Sequence, residues 1–150
     1  MSAPMSKRSA PREMIRMLYP IAISPSEGDS TWGVEVPDLP GCFSAGNDQD
    51  HALEMAKEAI EIHIEILAES GAVIPAASKI SNHVSDPRFA NCVWALVDVD
   101  ISQCLGNTQK VNITLPGYLL SRIDLHVSQH PEEKSRSAFL ASAALRMLSS

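Results

Sequence analysis

Histidine is the side chain best suited to proton transfer and metal binding near neutral pH, and the 150-residue chain has five of them. His126 and His130 stand four apart, a spacing that puts two rings on one side of a helix and could hold a metal. No third ligand accompanies them in sequence, and the pair reads as surface residues. His63 falls on the apolar side of a helical segment and reads as a packed ring with its nitrogens hydrogen-bonded. Cys42, Cys92 and Cys104 show neither C-x-x-C spacing nor an even count, which argues against a disulfide framework or a zinc knuckle and leaves small buried apolar groups. Metal-dependent phosphodiester cleavage needs carboxylates converging from central strands, and the first expected strand, 18–23, contains none. No Gly-rich phosphate loop, G-x-S-x-G or H-E-x-x-H occurs. The residues therefore predict no catalytic group, no metal and no cofactor.

A binding chemistry is more visible. Within 110–115, Val111, Ile113 and Leu115 alternate with Lys110, Asn112 and Thr114, so a strand there has one apolar and one polar face. Paired antiparallel with the same segment of a second chain, it forms a ribbon. Val111, Ile113 and Leu115 make its dimer core, and the polar row fits the DNA major groove. There Asn can contact adenine, and Lys can contact guanine or phosphate. Lys134, Ser135, Arg136 and Ser137, at the start of the last expected helix, offer cations and backbone amides to a phosphate.

The elements that would position these residues follow from periodicity. Strands are expected at 18–23, at 32–36 with Trp32, Val34 and Val36 on one face, and at 42–45, joined by the turn 24–29 and the proline-bearing 37–41. A helix is expected over 48–70, with Leu53, Ala56, Ile60, Ile64 and Leu67 on one side and Gly71 as its stop. Glu54, Glu58, Glu61, Glu65 and Glu69 form a stripe opposite, either a solvated face or a docking surface for a basic partner. Segment 71–88 reads as an irregular connection with one short helical turn. A strand within 89–101 is expected to be buried on both faces at its start and solvated at its end, with a linker at 102–109. In the tail, Pro116 suits a first helical turn ahead of Leu119 or Leu120, Ile123 and Val127. Ser135 suits the N-cap of a second helix with Phe139, Leu140, Ala143, Ala144, Met147 and Leu148 as its apolar side. One strand and two helices cannot bury their apolar faces alone, which calls for a second copy of the chain.

Hydrophobic residues make up 45% and charged residues 20% of the chain, a composition for folding rather than disorder. Apolar stretches are too short for a membrane span, and no apolar run follows the first basic residues, so the expected location is the cytoplasm, with no membrane partner. The net charge of −6 is unevenly divided: 14–106 carries four basic against fourteen acidic residues, whereas 107–150 carries five against three. An acidic body joined to a basic tail predicts two modules with different partners.

The tail from KVNITLPGYLL to SAALRML resembles the ribbon-helix-helix family. The segments MLYPIAI, WGVEVPDLPGCFSAG, DHALEMAKEAIEIHIEILAESG and VWALVDVDIS resemble the HicB antitoxins. This resemblance implies an α+β fold, a degenerate RNase H-like βββαβ domain followed by a ribbon-helix-helix βαα domain. The expected divisions are a disordered extension at 1–13, a toxin-binding domain at 14–101, the linker at 102–109 and a DNA-binding domain at 110–150. It further implies a HicA-type mRNA-cleaving toxin as partner, operator DNA as target, and a homodimer through the tail that could pair into tetramers. Toxin contacts are expected at the turn of Asp38 and Leu39, taken as exposed, and at Glu54, Glu58, Glu61 and Glu65. Two departures stand out: Pro131-Glu132-Glu133 replaces a shorter glycine-containing turn, and 1–13 has no counterpart. The alternatives are an RNase H-like metal-dependent nuclease and a ligand-responsive ribbon-helix-helix repressor.

Overall fold

Residues 15–133 and 135–149 are described by a computed structural model; the expected extension 1–13 and Lys134 lie outside them. Strand β1 (Arg16–Pro25) is central in a four-stranded antiparallel sheet of order β3-β2-β1-β4, where β2 is Trp32–Glu35, β3 Phe43–Gly46 and β4 Val93–Asp100. Its apolar run explains its place: Tyr19, Pro20, Ile21, Ala22 and Ile23 are all buried, as a central strand covered on both faces requires. Met17, Tyr19, Ile21 and Ile23 are all buried on one side, and the register sets Val99 opposite Met17, Val97 opposite Tyr19 and Val34 opposite Ile23.

Helix α1 (Gln49–Glu69) covers that face through Ala52, Ala56, Ile60 and Ile64, four buried residues spaced one turn apart. Its start is set by Asp48, whose carboxylate accepts the His51 amide at 2.7 Å, while His51 Nδ1 accepts the Asn47 amide at 2.9 Å. Its end is set by Gly71, at φ +74°. Gly46 allows β3 to run against the helix start: a Cβ there would lie 2.6 Å from Ala52 Cα. The βββαβ order and the helix boundaries agree with the sequence reading.

Several expectations change. The connection before β4 has two short helical turns, Ile80–Asn82 and Pro87–Phe89, rather than one. Phe89 is buried edge-on against Trp94 at 5.3 Å, and the His83 ring stacks on Trp94 at 6.0 Å. Burial along β4 runs opposite to expectation: Val93 and Leu96 are about half exposed, and the buried residues, Val97 and Val99, come late. As an edge strand it has β1 on one side only, and its core contribution is made where it faces α1.

The expected linker also begins later. Ile101–Cys104 forms a further helical turn, with Ile101 fully buried and Ser102 nearly so. The Asp100 carboxylate ties it down, accepting Ile15 N at 3.1 Å, Ser102 N at 3.1 Å and Ser102 Oγ at 2.7 Å. Cys104 and Leu105 still pack against the core.

The tail contains α2 (Gly117–Gln129) and α3 (Arg136–Ser149), joined through a turn at Pro131–Glu133. Residues 110–115, expected as a strand, form none here: no described segment of the chain pairs with them. The expected apolar side of α3 is also corrected. Ala138 is buried and Ala141 and Leu145 pack against the core of the sheet module, whereas Phe139 and Leu140 are half-buried and Ala143, Ala144, Met147 and Leu148 face outward. The helix therefore has two apolar stripes, and the sheet module takes the one made of smaller residues.

Candidate interaction surfaces

On α1 the structure leaves Glu54, Glu58, Glu65 and Glu69 exposed and Glu61 half-buried, one acidic ridge opposite the buried stripe. Ile62 and Ile66 stand exposed beside it. His63 is half-buried, as a packed ring would be, but no hydrogen bond to it is found among the described residues.

Asp38 and Leu39 do not form an exposed turn. Leu39 is fully buried, and the Asp38 carboxylate is turned inward, its side chain only 9% exposed. It accepts hydrogen bonds from Ser78 N and Ser78 Oγ, each at 2.7 Å, and His83 Nε2 lies 3.0 Å away. This brace holds loop 36–42 to segment 75–84, and Tyr19 adds to it by donating to Pro75 O at 2.7 Å. Burial, with the Asp38 charge second and Cys42 third, pushes the Tyr19 phenol above its ordinary range.

Ser78, His83 and Asp38 are the residue types of a nucleophilic triad, with Ser78 Oγ 2.9 Å from His83 Nε2. The connectivity differs. Serine and aspartate meet the same ring nitrogen, and the hydroxyl is itself bonded to the carboxylate, so aspartate does not orient the far side of the imidazole. Their separations of 40 and 45 residues left no signal in the spacing. Burial raises the Cys42 thiol, and burial followed by Glu61, Glu65 and Asp100 raises that of Cys104, the opposite of an activated thiol.

In the tail, Lys110, Asn112 and Thr114 are exposed, as are Val111 and Ile113, with 75% and 59% of their surface accessible, and Leu115 is half-buried. Ser135 caps α3, its Oγ accepting the Ala138 amide at 3.1 Å, and Ser137 is exposed. Arg136 is engaged. Its Nε donates to Asp124 Oδ1 and its Nη2 to Asp124 Oδ2, both at 2.9 Å. This pairing holds the Asp124 carboxyl below its usual range and the Arg136 guanidinium more firmly protonated.

His126 and His130 are not simple surface residues. Their rings stack at 4.0 Å, 15° from parallel, half-buried where α2, the 131–133 turn and α3 meet. His126 Nε2 lies 2.7 Å from Glu133 Oε2, Phe139 meets the His126 ring edge-on, and His130 Nδ1 donates to His126 O at 2.9 Å. Among the described residues, no three His, Cys, Asp or Glu side chains are grouped to hold a metal. A groove of about 700 Å³ separates Leu18 and Leu96 of the sheet from α3, edged by Lys79, Ser142 and the Arg16–Asp98 ion pair.

These surfaces define a binding protein: an α+β module with an acidic helix, and a helical pair whose preceding apolar segment is exposed. Among the described residues, no helix is long and apolar enough to cross a membrane. The family model of HicB-like antitoxins of bacterial toxin–antitoxin systems matches residues 19–144, and the chain belongs to this family. An uncharacterised 14.9 kDa protein from the rep–hol intergenic region of Haemophilus phage HP1 (strain HP1c1) is 42% identical over 132 residues, covering 88% of this chain and 98% of its own. The crystal structure of the Burkholderia pseudomallei antitoxin HicB matches with a TM-score of 0.75 and 40% identity, over 88% of this chain and 98% of that one. A chain of the HicA3 and HicB3 toxin–antitoxin complex matches at TM-score 0.50 and 31% identity, over 56% of this chain and 99% of that one. The protein is an antitoxin of this family and not an enzyme.

Proposed function

We propose that the sheet module binds and blocks a HicA-type mRNA-cleaving toxin, and that the tail represses the toxin–antitoxin operon by binding operator DNA as a homodimer. The observation that carries the toxin half is the 31% identity to a chain of the HicA3 and HicB3 complex, a match covering 99% of that chain. With Leu39 and the Asp38 carboxylate turned inward, the exposed contacts we assign to the toxin are Glu54, Glu58 and Glu65, with Glu61 at their margin. A carboxylate ridge attracts a basic partner and speeds its encounter.

The DNA half is supported by the exposed alternation at 110–115. Val111 and Ile113 are large apolar side chains left in solvent by the single chain, as expected of half of a two-chain ribbon. Pairing would cover them and set two copies of Lys110, Asn112 and Thr114 on one face. Two measurements test the halves separately. Full-length chain should relieve growth arrest by the co-expressed toxin, and it should shift a duplex containing the operon's own promoter. Persistent growth arrest at matched expression refutes the first half, and promoter binding no tighter than to random DNA refutes the second.

A further inference from the structure

The α3 start carries an arginine with the fork geometry that recognises phosphate, yet its side chain is already committed. Arg136 Nε and Nη2 present two parallel N–H groups, and both are taken by the two oxygens of Asp124 at 2.9 Å. That edge is the one a phosphate would use in the same bidentate manner. Asp124 is the single acidic residue of α2 (Gly117–Gln129), twelve positions before its partner. Neither group is fixed by burial: the side chains are 53% and 51% exposed, so the contact can exchange with an incoming anion.

We propose that Asp124 acts as a latch on Arg136. In the free tail it occupies the guanidinium edge and cancels one of the five tail cations, so that Arg136 adds to DNA binding only after a phosphate has displaced the carboxylate. The latch weakens phosphate binding on any duplex by the same factor, so it lowers overall affinity and leaves the ratio of operator to random binding to the base contacts of the ribbon. This rests on the DNA-binding reading above.

A double-mutant cycle on the full-length protein tests it, using a duplex of random sequence and the operon's promoter duplex over a range of potassium chloride concentrations. Asp124→Asn is expected to tighten binding to the random duplex by about two- to fivefold, the range an exposed ion pair can supply. It should also steepen the plot of log affinity against log salt by about 0.9, one more phosphate neutralised. Arg136→Ala should cost little in the wild-type background and should cancel the gain in the Asp124→Asn background. Equal costs of Arg136→Ala in both backgrounds, or an unchanged salt slope in Asp124→Asn, overturns the latch. Promoter binding by the wild type together with an additive cycle overturns the latch alone, whereas no DNA binding by any variant overturns the DNA-binding reading with it. Both residues are half exposed, so melting temperatures should stay at the wild-type value; if Asp124→Asn is unstable, Asp124→Ser replaces it in the same cycle.

Discussion

Replacing Asp38 by alanine tests whether loop 36–42 is held by an internal brace. The carboxylate accepts from Ser78 N and Ser78 Oγ at 2.7 Å and faces His83 Nε2 at 3.0 Å, with its side chain 9% exposed. Alanine leaves these donors without their acceptor. The Ser78 hydroxyl can turn to the His83 ring, 2.9 Å away, so the half-buried Ser78 amide is the donor that loses its acceptor. An unsatisfied donor costs about 1–3 kcal/mol, which at about 2–4 °C per kcal/mol lowers the melting temperature by roughly 2–12 °C. Asp38→Asn, which keeps one acceptor oxygen, should lose less. Glu58→Gln, on the exposed ridge, should stay within about 0.5 kcal/mol of wild type. Urea titrations followed by circular dichroism measure all three. Asp38→Ala melting as wild type does, with an unchanged urea midpoint, would refute the brace and return Asp38 to the surface.

Three further outcomes are expected. Tyr19 holds its proton more tightly folded than unfolded, so its contribution is complete below the ordinary tyrosine range near about 10 and is lost as pH rises above it. Stability should therefore fall with alkaline pH in the wild type and fall less steeply in Tyr19→Phe, and parallel curves would contradict this. Gly46→Ala drives a methyl group to within 2.6 Å of Ala52 Cα and should cost about 1–3 kcal/mol or more, whereas Gly28→Ala meets no nearby atom but adopts φ +91°, so any cost there is conformational; equal melting of Gly46→Ala and wild type would contradict the close approach. Asn112→Ala should weaken promoter binding by about 1–3 kcal/mol per lost base contact while leaving random-duplex affinity unchanged, and a uniform loss on both duplexes would mean that the ribbon does not read bases.

Periodic elements were legible because burial imposes their spacing locally. The apolar run at 18–23 and the helical spacing of Ala56, Ile60 and Ile64 are visible in the chain and recur in the core, where Ala52 extends the buried stripe and Leu53 and Leu67 pack at its margin. Contacts between distant segments were not. Asp38 looks like a polar turn residue until Ser78 and His83 fold back onto it, and Leu39 looks exposed in a proline-flanked loop until that loop closes over the core. The same holds for Arg136, whose partner Asp124 faces it only once α2 and α3 pack together. The tail periodicity marked one side of α3, from Phe139 to Leu148, and missed the stripe of Ala141 and Leu145 that packs against the core, whereas Met147 and Leu148 face outward.

The central claim is that one chain joins a toxin-neutralising module to a tail that represses only as a dimer. It is tested most directly by co-expressing the toxin with full-length chain carrying Ile113→Asp, at matched levels, in cells bearing a reporter under the operon's promoter. Ile113 is 59% exposed in the single chain, so the charge should leave the sheet module folded while preventing ribbon pairing. The account predicts that growth is rescued as by the wild type while the reporter is derepressed. Rescue with full repression would contradict the ribbon, and loss of rescue by a folded variant would contradict the division between the two modules.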